Sequence, residues 1–224
     1  MADPARAYAE TPYPTGLCLP GHPDLLAACA RLHGLEPADP DGCRYLDLAC
    51  GDGTNALAVA DSLPGSECLG IDIASSAIER GESLRRELGL GNAELRAADL
   101  LEAEVEPASW DYVVIHGLLS WVPEPVRRST LALASRAVAP GGVVMASYSA
   151  LPGWWMLRPA RALARRHAAG AGPDPADRAA AARAAVRRAS EIDDTGEAYA
   201  AMMDEAVERY ESMTDSVLCH DDLA

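Results

Sequence analysis

Two hydrophobic periods alternate along the first two thirds of the chain. Short apolar runs bounded by Gly, Asp and Pro predict buried strands at residues 43–50 (CRYLDLAC), 67–73 (ECLGIDI), 92–100 (NAELRAADL, the weakest), 110–119 (WDYVVIHGLL, the most apolar) and 141–150 (GGVVMASYSA). Between them, apolar residues at helical spacing predict helices. One runs from Pro23 to a stop at Gly34, one over 54–64, one over 75–90 with a serine available to cap it, and one over 123–140 closed by Pro-Gly-Gly. Strands alternating with helices of this length predict an α/β fold built on a doubly wound, mainly parallel sheet of about five strands.

After residue 153 the pattern changes. Residues 154–189 form an arginine- and alanine-rich helical stretch broken at GAGPDPAD, and an acidic segment with an amphipathic helix over 196–213 follows. The expected organisation is an N-terminal arm or lid (1–22), an α/β core (23–153) and a helical lid or oligomerisation segment (154–224). Opposed charges on the last helices offer two readings, helices stapled together or solvated faces, and the second is favoured because exposed ion pairs contribute little.

Composition excludes more than it selects. The formal net charge of −15 repels phosphate backbones, so a nucleic-acid partner is not expected. No apolar run reaches bilayer length and the first residues lack a signal-peptide core, so the expectation is a soluble cytoplasmic protein without a membrane partner. Six cysteines and five histidines are scattered without metal-ligand spacing, so no metal is expected.

The chemistry concentrates where the first strand turns into a helix, at Asp47-Leu48-Ala49-Cys50-Gly51-Asp52-Gly53-Thr54. Gly51 and Gly53 let the backbone pass close to a ligand, and the following helix presents amide N–H groups to a polar or anionic group. Taken alone, the spacing Gly51-x-Gly53-x-x-Ala56 also fits a dinucleotide fingerprint. Asp72, ending the second strand, can accept from two ribose hydroxyls in either kind of site. Asp47 and Asp99 break the tie. A carboxylate just before the glycine turn is unusual in dinucleotide enzymes but faces the methionyl end of the cofactor in methyltransferases. Asp99, after the third strand, is placed to accept from an adenine amino group.

Residues 40–153 accordingly resemble the class I S-adenosylmethionine (SAM)-dependent methyltransferases, with YLDLACGDG, GIDIASSAI, ADLL and VAPGGVVMAS as the matching segments. The resemblance implies a Rossmann-like fold, SAM as cofactor, S-adenosylhomocysteine (AdoHcy) as product and transfer by SN2 displacement. It also implies a cofactor-binding set of Asp47, Ala49, Gly51, Gly53, Asp72, Ile73, Asp99, Leu100, His116 and Tyr13. One departure is Ala49, where the family commonly has glycine; alanine is expected to be tolerated there unless the position needs a positive φ. Upstream TPYP and HPDLL, DYVVIHGLLSWVPEPVR and SYSALPGWWM are similar to bacterial methyltransferases carrying a methyltransferase regulatory region, some of which are protein lysine methyltransferases. Those proteins are longer. This chain is expected to lack the last helix and two antiparallel strands, as a fragment or as a short member that covers its sheet edge with a homodimer or partner chain.

Ligands of open parallel sheets bind beyond the carboxyl ends of the strands, so catalytic candidates are sought there. His116 ends the fourth strand and is the candidate general base or orienting group; its alternative is a histidine bonded within the pocket wall. Tyr148 follows the fifth strand, with Ser149, and is the second catalytic candidate. Tyr13 is expected to fold over the cofactor from the arm. The favoured function is methyl transfer to a small-molecule, peptide or protein acceptor. The alternatives are a non-catalytic SAM-binding module that needs a partner chain, and a nicotinamide-dependent oxidoreductase, which leaves Asp47 and Asp99 unexplained.

Overall fold

The computed structural model describes Tyr13, residues 16–192 and residues 196–223. The rest of the expected N-terminal arm, residues 1–12, 14 and 15, lies outside the described residues. Strands β1 (Arg44–Leu48), β2 (Glu67–Asp72), β3 (Ala93–Ala97), β4 (Trp110–Ile115) and β5 (Val138–Ala146) form a five-stranded sheet. Its order is β3-β2-β1-β4-β5 and every pair is parallel. Helices α1 (Pro23–Leu32), α2 (Thr54–Ser62), α3 (Ser75–Leu88) and α4 (Glu124–Ala137) intervene, of which α2, α3 and α4 supply crossovers that parallel neighbours require. The sheet is the Rossmann-like α/β fold expected from the alternation.

The strand pleat sorts side chains onto two apolar layers. Tyr45, Tyr112 and Val114 pack with Leu26 and Ala27 of α1 and with Ala56, Leu57, Val59 and Ala60 of α2. On the opposite face, Leu46, Leu48, Val113 and Ile115 pack with Leu133, Ala134 and Ala137 of α4. Because β1 is flanked by β2 on one side and β4 on the other, the chain order reverses at its carboxyl end. Diverging connections leave a crevice at such a switch point, and the glycine turn sits there.

Local sequence explains several boundaries and misplaces others. Gly34, at φ +78, stops α1: its N–H donates to Arg31 O and Leu35 N–H donates to Ala30 O, each at 3.0 Å. By contrast, no serine caps α3. Its cap residue is Ala74, whose N–H is taken by Asp72 Oδ1 at 2.8 Å. Pro-Gly-Gly is not a stop either. It lies inside β5 as an irregularity between the pairs Trp110↔Val138 and Tyr112↔Val143, with Gly141 at φ +82. β4 and β5 end earlier than the apolar runs predict, at Ile115 and Ala146, which are register partners.

The chain divides into two units, Met1–Tyr148 and Ser149–Ala224. The second is helical: a short turn at Gly153–Met156, then α5 (Arg158–Ala168), α6 (Pro175–Ser190) and α7 (Glu197–Ser212). Its core is built on small residues at helical spacing, Ala160, Ala164 and Ala168 against Ala179, Ala182 and Val186, closed by Met203, Ala206, Tyr210 and Leu218. Most charged side chains among the described residues of this unit are exposed, as expected, but several arginines also staple neighbouring helices. Arg183 donates to Tyr210 O at 2.9 Å and to Met213 O at 2.7 Å and pairs with Asp215. Arg187 pairs with Glu211, and Arg161 Nε lies 2.8 Å from Asp222, a fully buried carboxylate. Alanine interfaces bring helix axes close, so arginine stems reach past their own helix to partners on the next.

Candidate functional site

The pleat places Asp47 on the same face of β1 as Tyr45, where packing calls for an apolar side chain. It is 1 % exposed, and its Oδ2 has no hydrogen-bond partner among the described residues. Burial, reinforced by the nearby Asp72 carboxylate, pushes its pKa from 3.8 up to about 7. A buried, unpartnered carboxylate is costly in a structural role. It suits a cationic ligand group.

The turn that follows is held against β2. Ala49 N–H and Cys50 N–H both donate to Ile71 O, at 2.8 and 3.1 Å, and Gly51 N–H donates to Asp72 Oδ2 at 2.9 Å. Positive φ values recur at alternate positions: Ala49 at +66, Gly51 at +61 and Gly53 at +78. A Cβ on Gly53 would stand 2.4 Å from Leu95 Cδ2, and one on Gly81 of α3 would stand 1.9 Å from Asp52 O. The turn is thus clamped between β2, β3 and α3. Its helix is less open than expected at the first residue, since Thr54 N–H and Oγ1 are both engaged by Asp52 Oδ1.

Ala49 therefore occupies the left-handed conformation that its expected tolerance was conditional upon avoiding. An L-residue there costs roughly 1–2 kcal/mol, partly offset by the lower entropy of its unfolded state relative to glycine. Ala49→Gly is expected to stabilise the protein by about 1 kcal/mol, read as a higher urea midpoint at constant m-value. An unchanged midpoint would show that the turn carries no such strain.

Asp72 ends β2 with each oxygen accepting one backbone N–H, from Gly51 and from Ala74 at 2.8 Å. Burial raises its pKa and those amides partly offset the rise. Each oxygen keeps a lone pair for a hydroxyl donor. Asp72 O accepts from Ala98 N–H at 2.9 Å, joining the β2 end to the Asp99 loop. Asp99 Oδ1 accepts from Leu101 N–H at 2.9 Å and is half-buried. Ile73 is half-buried as well, whereas Leu100 turns into the apolar layer on the α4 face.

His116, exposed, lies one residue beyond β4. Its Nδ1 is 3.1 Å from Ser147 Oγ, and the same oxygen accepts from Gly117 N–H at 2.9 Å. Tyr148 is 70 % exposed and Tyr13 40 % exposed. Two residues that sequence reasoning missed join the picture. Ser147 was obscured because the fifth strand was expected to run through it. Asn55, inside the helix start, accepts Cys18 N–H at 2.7 Å and ties the segment before α1 to α2.

A methyltransferase-domain family model matches residues 39–207. The chain belongs to that family. The resemblance of its motifs to class I SAM-dependent methyltransferases, and the fold and cofactor class that go with it, are borne out. Among solved structures, this methyltransferase domain is similar to PKMT2 from Rickettsia typhi in complex with AdoHcy, with a TM-score of 0.84 and 28% identity over 95% of this chain and 41% of that one. Among curated proteins, it is 32% identical over 161 residues to the uncharacterised protein RP028 of Rickettsia prowazekii, covering 72% of this chain and 64% of that protein. It is also 30% identical over 112 residues to demethylmenaquinone methyltransferase of Geobacillus kaustophilus, covering 50% of this chain and 47% of that one. The domain thus spans only part of the length of the proteins it resembles.

Proposed function

We propose that this domain binds SAM across the carboxyl ends of β1, β2 and β3 and transfers its methyl group to a side-chain amine of a protein, a lysine. The observation that carries the reading is the buried, unpartnered Asp47 Oδ2 beside the glycine turn. Asp47 would hold the cofactor's ammonium, Asp72 its ribose hydroxyls and Asp99 its adenine amino group, with Gly51 and Gly53 allowing the backbone to lie close. SAM supplies a methyl group already activated on sulfonium: the acceptor's lone pair forms the new bond as the carbon–sulfur bond breaks and its electron pair stays on sulfur. The chain's own residues position the reactants and accept a proton. His116 is the candidate for the proton, being the imidazole at the β4 end, and Tyr148 is a candidate contact for the acceptor. The lysine acceptor is supported by the likeness to PKMT2 over nearly the whole chain.

Calorimetric titration with SAM, AdoHcy and NAD(H) tests the reading. Micromolar binding of the first two with no response to the third is expected, followed by methyl transfer to poly-L-lysine. Binding without transfer would favour a SAM-binding module completed by a partner, a reading consistent with β5 standing at the edge of the sheet. No binding would sink both.

The same titration carries a pH signature. Asp47 holds a proton below about pH 7 in the ligand-free protein, and a bound ammonium favours the ionised form. Binding below that pH must release the proton, so SAM affinity is expected to fall by about tenfold per unit as pH drops below 7. A flat profile from pH 5 to 7 would remove Asp47 from the ammonium site.

A further inference from the structure

β4 and β5 end in register, with Ile115 opposite Ala146. The next residue of each strand, His116 and Ser147, therefore arrive side by side. Ser147 N–H donates to Ile115 O at 2.9 Å, which holds the serine against the end of β4. Gly117, at φ +69, directs its own N–H back to Ser147 Oγ at 2.9 Å, and that oxygen lies 3.1 Å from His116 Nδ1. Two backbone contacts thus fix the hydroxyl, and the hydroxyl in turn fixes the ring.

We infer that Ser147 is a positioning residue for His116, holding Nδ1 so that Nε2 is the atom that receives the acceptor's proton. The inference rests on the proposed transfer to an amine, because an ammonium must lose a proton before its nitrogen can attack. A hydroxyl oxygen has two lone pairs. Gly117 N–H occupies one, and the other can accept Nδ1–H; we take this arrangement over donation of the hydroxyl's own O–H to Nδ1 because only it survives protonation of the ring, and it leaves the neutral ring's lone pair on Nε2. That nitrogen has no hydrogen bond among the described residues. When the acceptor's N–H bond breaks, its electron pair remains on the amine nitrogen and the proton passes to Nε2. The resulting imidazolium still donates Nδ1–H to Ser147, so both protonation states use the same contact and the ring need not reorient.

Nuclear magnetic resonance of the full chain with isotope-labelled histidine reads the tautomer directly, the His116 signal being assigned by its absence in His116→Asn. Protonation at Nδ1 is expected in the wild type, a shift toward the Nε2–H form in Ser147→Ala, and retention of Nδ1–H in Ser147→Thr. In methyl transfer from SAM to poly-L-lysine, Ser147→Ala is expected to lower kcat by about tenfold with KM and SAM affinity unchanged, while Ser147→Thr stays within about twofold of wild type. A wild type protonated at Nε2, or a tautomer indifferent to Ser147→Ala, overturns the inference. An active wild type matched by an equally active Ser147→Ala overturns the role of Ser147 alone. A wild type that binds SAM but methylates no amine overturns the transfer on which it rests.

Discussion

Asp47→Asn is expected to make the ligand-free protein more stable at pH 8 by about 2 kcal/mol while weakening SAM binding at least about tenfold. The stabilisation follows from the buried carboxyl. Its pKa is 3.8 in the unfolded chain and about 7 in the folded one, so the folded state binds more protons between those values. Below pH 3.8 the carboxyl imposes no ionisation penalty; as pH rises to 7, stability falls by roughly 1.4 kcal/mol per unit and then levels off. The accumulated penalty is on the order of 4 kcal/mol. Asparagine removes it but leaves a neutral amide short of partners, which costs roughly 1–3 kcal/mol. At pH 5 the two effects nearly cancel. Urea midpoints of wild type and variant at pH 5 and 8, with SAM titrations beside them, check both halves. A variant less stable than wild type at pH 8 would mean that Asp47 has a partner in the folded state, and unchanged SAM affinity would mean that its charge faces no ligand.

Asp222→Ala is expected to destabilise the helical unit by about 3–5 kcal/mol, the scale for removing one partner of a buried ion pair. Asp222 is fully buried, with Arg161 Nε at 2.8 Å and Arg209 Nε at 3.9 Å. Burial raises its pKa, and the two arginines pull the other way. Alanine would leave those guanidinium groups, each less than a third exposed, without the carboxylate they flank. Arg209 keeps its contact with the Trp154 ring, 4.7 Å from its centroid, which holds it near the vacated place. Loss of helical circular dichroism in urea measures the effect. The double variant Arg161→Met with Asp222→Leu is expected to recover most of the loss, because a packed apolar pair pays no desolvation. A single variant as stable as wild type would show that the pair contributes nothing to the unit.

These two carboxylates were not equally visible in advance. Asp47 stands out in sequence because it interrupts an apolar run immediately before a glycine turn, a place where composition and position jointly mark it. Asp222 carries no such mark. It lies in an acidic tail whose charges look solvated, and only packing shows that its backbone is carried under Arg161 and Arg209. Ser147 was hidden for a third reason. A continuous apolar run does not reveal where a strand stops, and the pairing of Ile115 with Ala146 places Ser147 beside His116. The serine expected to cap α3 gave way to Asp72, which already serves the glycine turn and takes the Ala74 amide with its other oxygen.

By itself, the order of residues determined the α/β alternation, the parallel sheet, the family likeness and the cofactor class. Each depends on periodicity or on a few residues adjacent in the chain, and local sterics act over that range. Tertiary structure decided what depends on separations of tens of residues. It placed Ala49 at positive φ because Ile71 and Asp72 draw the turn onto β2. It left Asp47 buried with an unpartnered oxygen because the layers around β1 close over it. It joined His116 to Ser147, 31 residues away, because parallel strands carry distant residues to the same end of the sheet.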